Sequence, residues 1–218
     1  MELAQQVWTE VDAAATLLIP LGSTEQHGPH LPFDTDARIA QAVSYGAAEK
    51  TGATVAPVLP YGASGEHASF AGTLSIGTEA LHVVIVELTR SASLTFSRIV
   101  FVNGHGGNHQ AVTSAISQMQ AEGHKVSTWS PSIPGGDAHA GRTETSLMLA
   151  IAPASVRLDA AESGNTAPLS EIIDHLRAGG VAAASANGVL GDPTGASADE
   201  GELLLRQLVD GLVVMLDR

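Results

Sequence analysis

The chain contains no cysteine. That single absence excludes disulfides, thiolate metal ligands and a thiol nucleophile together, although it points to no particular compartment. Aromatic residues are scarce at 4%, and basic residues are few, 10 Lys+Arg against 23 Asp+Glu, for a formal net charge of −13. So acidic a surface repels phosphate backbones, and no Lys/Arg cluster reverses the field locally, so nucleic acid is not an expected partner. No run approaches the roughly 20 apolar residues that span a bilayer, so no membrane partner is expected either. The start, Met1 to Gln6, has neither a basic segment nor an apolar one behind it, which predicts no secretory signal and a cytoplasmic protein. Repeats, charge runs and shifts of composition are missing as well.

What remains is a chain of 218 residues, 44% hydrophobic and 15% charged, long enough to bury a real core in one domain over residues 1–218. Short apolar runs bounded by Gly and Pro alternate with segments of helical period, the pattern of an α/β fold with a mainly parallel sheet under covering helices. Thr16 to Gly22 reads as a first buried strand, Asp36 to Lys50 as a helix closed by Gly52, and Ala53 to Leu59 as a second strand. Thr78 reads as the cap of a helix whose buried stripe is Leu81, Val84, Ile85 and Leu88. Arg98 to Asn103 is the clearest strand, followed by a helix to about Glu122. Lys125 to Trp129 reads as a further strand; Thr143 to Ile151, Pro168 to Leu176 and Ser197 to Leu216 read as helices. The Gly-rich stretch from Gly179 to Gly195 has no clear assignment.

The nine histidines are unevenly placed. His82, His124 and His175 fall in helical patterns, where a surface or packing role is the plain reading. His27, His30, His67, His105, His109 and His139 fall in Gly- or Pro-rich loops or one step beyond them. Open α/β sheets build sites beyond the carboxyl ends of their strands, and two of these loops follow the two best strands. In extended backbone Glu25 and His27 point to one side while Gln26 faces away. Asp36 follows at the start of a helix, and His105 leaves the second strand between glycines. Taken singly, Glu25 could be solvated, Asp36 (or Asp34) a helix cap, and His105 a turn residue. Taken together they place Glu, His, Asp and His at one crevice. Oxygen and imidazole donors without sulfur suit Zn²⁺, Mn²⁺ or Fe²⁺. Buried without a cation, such carboxylates would raise one another's pKa. One central carboxylate also suits a metal pair about 3.5–4 Å apart, bridged by Asp36.

The segment Leu21-Gly22-Ser23-Thr24-Glu25-Gln26-His27-Gly28-Pro29-His30-Leu31-Pro32, running on to Asp34-Thr35-Asp36, closely resembles the signature of the creatininase (creatinine amidohydrolase) family. Asn103-Gly104-His105-Gly106-Gly107-Asn108 is similar to its second signature. Gly65-Glu66-His67 with Phe70 to Thr73, and His139-Ala140-Gly141-Arg142-Thr143-Glu144-Thr145-Ser146, look like two more. The resemblance implies a three-layer α/β/α sandwich, two divalent metal ions and a metal-dependent hydrolase of amide bonds. It implies that Glu25 and His105 bind one ion, His27 the other, and Asp36 both. Creatininase itself uses a Glu two residues after the His of the second signature; Gly107 stands there in this chain, and Glu144 is the replacement that the resemblance suggests. His139 is similar to the family histidine that moves a proton during amide cleavage, with a purely structural role as the alternative. Backbone N–H groups near Gly106 and Gly107 would help hold the oxyanion.

A narrower likeness extends over Ala63 to His67, Ser75 to Leu81 and Gly188 to Thr194 with Glu200-Gly201-Glu202. These resemble the branch of the family tied to mycofactocin biosynthesis, whose members cut a modified precursor peptide. The expected substrate is accordingly that modified peptide, with a small amide (creatinine or a formamidopyrimidine) as the alternative. Only Trp129 offers a counterpart to creatininase's substrate tryptophans, since Trp8 precedes the first strand. Family members form rings or stacks, which implies a homo-oligomer of hexamer size or larger.

Overall fold

A computed structural model describes residues 1–218. Four parallel strands form one sheet: β1 (Leu17–Leu21), β2 (Thr54–Val55), β3 (Ile99–Asn103) and β4 (Val126–Trp129), in the order β2-β1-β3-β4. There are six α-helices, α1 (Thr35–Thr51), α2 (Gly77–Ala92), α3 (His109–Ala121), α4 (Arg142–Ile151), α5 (Leu169–Ala184) and α6 (Ala198–Leu216); all but α5 cover the sheet, and α5 packs on the Gly65–His67 turn around a small cluster of its own. Every residue of β1 and β3 is buried, so both faces of the sheet carry a core. Leu18, Val100 and Val102 pack with α1, α4 and α6 on one face. Leu17, Ile19, Leu21, Ile99 and Phe101 pack with α2 and α3 on the other. The result is the three-layer α/β/α sandwich expected from the alternation of short apolar runs and amphipathic segments.

The chain runs outward from β1 to β2, then crosses back over β1 to β3. Right-handed crossovers therefore put α1 on one face and α2 and α3 on the opposite one. The reversal opens a crevice between the carboxyl ends of β1 and β3, the position where open sheets of this kind bind ligands. Gly22 and Gly104 leave the sheet there. A Cβ on Gly22 would run into the Ala37 backbone, and one on Gly104 would lie 2.6 Å from the Asp36 carbonyl oxygen. These two glycines let the first turn of α1 settle directly onto the strand ends.

Several expectations need correction. The second strand is only Thr54–Val55, not Ala53 to Leu59. Beyond it the chain still touches β1, since Ala56 N–H donates to Leu18 O and Leu59 N–H to Pro20 O, both at 2.9 Å. Pro20 has no N–H to give on that side, so the ladder is interrupted there. The α2 helix starts at Gly77 behind Ile76, with no side-chain cap, so Thr78 is not its cap. The Pro168 to Leu176 helix continues to Ala184 through a break at Gly180 (φ 70°, ψ −169°), taking in part of the unassigned region. The remainder folds back: Leu190 pairs with His139 as an antiparallel bridge. The last helix starts at Ala198, one residue later than expected, because Ser197 caps it, accepting from Glu200 N–H at 3.2 Å. No helix is long and apolar enough to cross a membrane.

Candidate metal centre

The loop after β1 doubles back on itself, with Glu25 N–H donating to Phe33 O at 3.1 Å and a His27–Leu31 bridge. Its extended backbone presents Glu25 and His27 on one side, as their i, i+2 spacing requires. Asp36 arrives in the first turn of α1, on the helix that Gly22 and Gly104 admit. It makes no helix cap; Asp34 precedes the helix and pairs instead with Arg38 at 2.8 Å. His105 comes from the turn after β3. Glu144 sits in the first turn of α4, where Ala140 N–H donates to it at 2.6 Å. Ala140 is the one non-glycine residue with positive φ (52°). Such backbone costs roughly 1–3 kcal/mol and persists where its surroundings hold it; here it lies between His139 and Glu144.

Asp36 is the centre of the arrangement. One oxygen lies 3.1 Å from His27 Nε2; the other lies 3.2 Å from His105 Nδ1 and accepts from Ser23 Oγ at 2.8 Å. The far nitrogens of both histidines face backbone carbonyls: His27 Nδ1 donates to Glu25 O at 3.1 Å, and His105 Nε2 to Ala63 O at 3.2 Å. In the neutral imidazoles the remaining lone pairs are then aimed at the same carboxylate. Lone pair against carboxylate is repulsive unless a proton or a cation lies between them, and carbonyl-anchored imidazole is the usual form of a metal-bound histidine.

Glu25 sharpens the point. It is wholly buried, and neither of its oxygens has a hydrogen-bond partner. His67 Nε2 at 3.2 Å and His105 Nε2 at 3.1 Å are close but not aligned as donors. An unpaired buried carboxylate costs several kcal/mol, and a cation relieves it. Glu25, Asp36 and His105 form one group whose ligand atoms all lie within 4.8 Å of one another; His27, Asp36 and Glu144 form a second. The two groups share Asp36. Glu25, His27 and His139 form a third such group.

Electrostatics tells the same story in the absence of ions. Burial, then the nearby Asp36 charge, push Glu25 up to about 7. Burial opposes charge on His27, but Asp36, Glu144 and Glu25 outweigh it and carry the imidazole up to about 10. His105 likewise ends well above the ordinary histidine value, against burial, through Asp36, Glu66 and Glu25. Asp36 is held well below the carboxylate range despite burial, by His27 and His105. The metal-free cluster thus keeps protons where cations would sit.

His139 differs. Burial and the neighbouring His27 and His67 hold it well below its usual value. Its Nε2 donates to the Gln26 carbonyl at 2.8 Å, leaving the Nδ1 lone pair 3.7 Å from Glu25 Oε1. The Gln26 side chain accepts from Gly28 N–H at 2.8 Å and offers its amide to His67 Nδ1 (2.9 Å) and Gly188 O (3.0 Å). Gln26 does not face away as its spacing predicts: it is buried, its amide nitrogen lies 2.9 Å from His67 Nδ1 and 3.1 Å from His139 Nε2, and it ties three segments together. Neither it nor His67 is distinguished by sequence spacing. The available signal was His67 itself, a loop histidine following a third strand at the same sheet edge. Glu66, 3.4 Å from His105 Nε2, belongs to the same group. His30 lies beside the site and contacts Thr145 Oγ1 at 2.8 Å. Gly106 and Gly107 line the cavity over the cluster. Neither tryptophan does: Trp129 packs against the core beneath α6, and Trp8 is exposed.

The creatininase family profile, described as creatinine amidohydrolase, matches residues 4–216. A mycofactocin precursor peptide peptidase of Mycolicibacterium smegmatis is 53% identical over 209 residues, covering 93% of this chain and 84% of that one. A creatinine amidohydrolase of Pseudomonas putida is 29% identical over 96% of this chain and 94% of its own length. The crystal structure of a creatininase superposes with a TM-score of 0.83 at 28% identity, covering 99% of this chain and 96% of that one. Related creatininase structures include a Zn–Zn form and a Mn form.

Proposed function

The chain belongs to the creatininase family and is a hydrolase, and from that premise we propose that it is a two-metal peptidase acting on a modified precursor peptide. In this reading residues 1–218 are one catalytic domain that assembles as a homo-oligomer. Glu25, Asp36 and His105 would hold one divalent ion and His27, Asp36 and Glu144 the other, drawn from Zn²⁺, Fe²⁺ or Mn²⁺. The observation that carries the metal assignment is the wholly buried, unpartnered Glu25 carboxylate beside two carbonyl-anchored histidines aimed at Asp36. When bound, such a pair lowers the pKa of water and polarises a carbonyl.

The protein's own groups do the rest. Glu25 and Asp36 stay ionised only with positive charge beside them, which ties the competent form of the site to its loaded state. The Gly104 to Gly107 turn brings backbone close to the scissile carbonyl, with the N–H groups of Gly106 and Gly107 as oxyanion donors. His139 is kept neutral with its Nδ1 lone pair facing the cluster, so it takes a proton from the attacking water and hands it to the departing nitrogen. Proton transfer of this kind contributes about 10²–10⁴ in rate. A peptide substrate is supported by the 53% identity to a precursor peptide peptidase and by the absence of tryptophan from the cavity lining. Metal-reconstituted protein incubated with the modified precursor peptide, and separately with creatinine and a formamidopyrimidine, tests this by mass spectrometry. Cleavage of the peptide alone is expected. Hydrolysis of a small amide with the peptide left intact would replace the peptidase with a small-molecule amidohydrolase.

A further inference from the structure

Gln26 and His67 meet beside Glu25, and the chemistry derived above gives neither of them a part. Both are buried; Gln26 comes from the loop after β1 and His67 from the Gly65–His67 turn. An amide and an imidazole each leave open which of two atoms carries hydrogen. Here the neighbours decide both.

A backbone N–H can only donate and a carbonyl can only accept. Gly28 N–H lies 2.8 Å from one end of the Gln26 amide, which is therefore the oxygen. Gly188 O lies 3.0 Å from the other end, which is therefore the NH₂ group. Gly188 has φ 80°, and a Cβ on it would strike the Gln26 amide, so this approach requires glycine. One hydrogen of the NH₂ goes to Gly188 O, and the second goes to His67 Nδ1 at 2.9 Å. A proton on His67 Nδ1 would oppose that donor. Nδ1 thus carries the lone pair, and His67 is a neutral imidazole with its proton on Nε2. His139 Nε2 lies 3.1 Å from the same amide nitrogen, but its proton goes to the Gln26 carbonyl at 2.8 Å, and two donors form no bond.

The consequence reaches the cluster. His67 Nε2 lies 3.2 Å from Glu25 Oε1, and the lone pair of His139 Nδ1 lies 3.7 Å from the same oxygen. Of the two rings, only His67 has a proton to offer there. With Nδ1 engaged and Nε2 protonated, it also has no lone pair left for a cation, although it approaches Glu25 about as closely as His105 does.

We propose that Gln26 is a positioning residue that fixes His67 as an Nε2–H donor to Glu25, so that His67 supports this ligand and is not a ligand itself. This rests on the metal reading above and assigns two further residues to the Glu25–Asp36–His105 position. Ligating carboxylates are themselves held by hydrogen bonds, and loss of such a partner costs about 10–100-fold in metal affinity. The Nε2–H is within reach of Glu25 Oε1 but off the line of a hydrogen bond, and loading the site is expected to align it.

The first test reads the proton directly, by solid-state NMR of the metal-free full chain with nitrogen-15 in histidine alone. The His67 signals are identified by their loss in His67→Gln. In the wild type Nδ1 is expected to be bare and Nε2 protonated. Gln26→Glu keeps the size and the acceptor for Gly28 but has no proton for His67, so Nδ1 is expected to become protonated. A proton on Nδ1 in the wild type, or a tautomer unchanged in Gln26→Glu, overturns the assignment. The second test measures Zn²⁺ affinity by competition with a chelator. His67→Gln keeps an N–H near the position of Nε2, whereas His67→Met keeps the bulk without a donor. His67→Met is expected to weaken Zn²⁺ binding by about tenfold or more and His67→Gln by less than about threefold. Equal weakening by the two variants, or none by either, overturns the donor role while the metal reading stands. A wild-type chain that binds no Zn²⁺ overturns both.

Discussion

Loading the site with metal should expel protons, and their number follows from the geometry. In the ion-free protein His27 is carried to about 10, so at neutral pH it is protonated; His105, well above its usual value, is too. Glu25, at about 7, is half protonated there. A cation needs lone pairs and carboxylates, so binding two ions displaces at least two protons, and about 2.5 at pH 7 when Glu25 is included. Proton competition at His27 alone, about three units below its pKa, weakens apparent affinity by about a thousandfold, or about 4 kcal/mol. Affinity should therefore rise about tenfold per pH unit from this histidine until pH approaches 10.

Stability of the metal-free protein should run the other way. The folded-state values of His27 and Glu25 are raised, so their contribution is fully present below their unfolded values and is lost as pH climbs through about 7 for Glu25 and about 10 for His27. The gap in Tm between loaded and metal-free protein should thus widen from pH 6 to pH 9. Calorimetric titration of Zn²⁺ in buffers of different ionisation enthalpy reads the proton count directly. Release of less than one proton per two ions, or an affinity that is flat across pH 6–8, would refute the reasoning.

Further outcomes follow from single side chains. Asp36→Ala removes the carboxylate shared by both ligand groups and should empty both positions, read by elemental analysis; retention of one full equivalent would contradict a shared ligand. His139→Ala should keep both ions while kcat falls by about 10²–10⁴; loss of metal instead would make His139 a ligand in the group it forms with Glu25 and His27. Gly107→Ala forces a Cβ into the His105 ring, the Glu66 carboxylate and the Ala63 carbonyl. It should lower metal affinity at the Glu25–Asp36–His105 position more than at the other, with secondary structure by circular dichroism unchanged.

Much of the fold was legible because the strands announce themselves locally. Arg98 to Asn103 runs apolar into a glycine turn, and Thr16 to Gly22 does the same, so the two loops that carry Glu25, His27 and His105 could be located from sequence alone. Asp36 was legible as a nearby carboxylate, but its freedom from helix capping was not, because that depends on α1 seating against Gly22 and Gly104. Pairings over long separations stayed hidden. The Leu190–His139 bridge joins segments about fifty residues apart, and the amide of Gln26 reaches Gly188 across 162 positions. Periodicity carries no record of such contacts. The early end of β2 was also obscured, since the Pro20 that interrupts its ladder lies on the neighbouring strand.

The most direct measurement is an anomalous-scattering map of crystals of the reconstituted protein, with the metal content of the same preparation determined. Two peaks are expected, one among Glu25, Asp36 and His105 and one among His27, Asp36 and Glu144, at about two equivalents per chain. A single peak, a peak that omits Asp36, or waters alone around a protonated Glu25 would contradict the account.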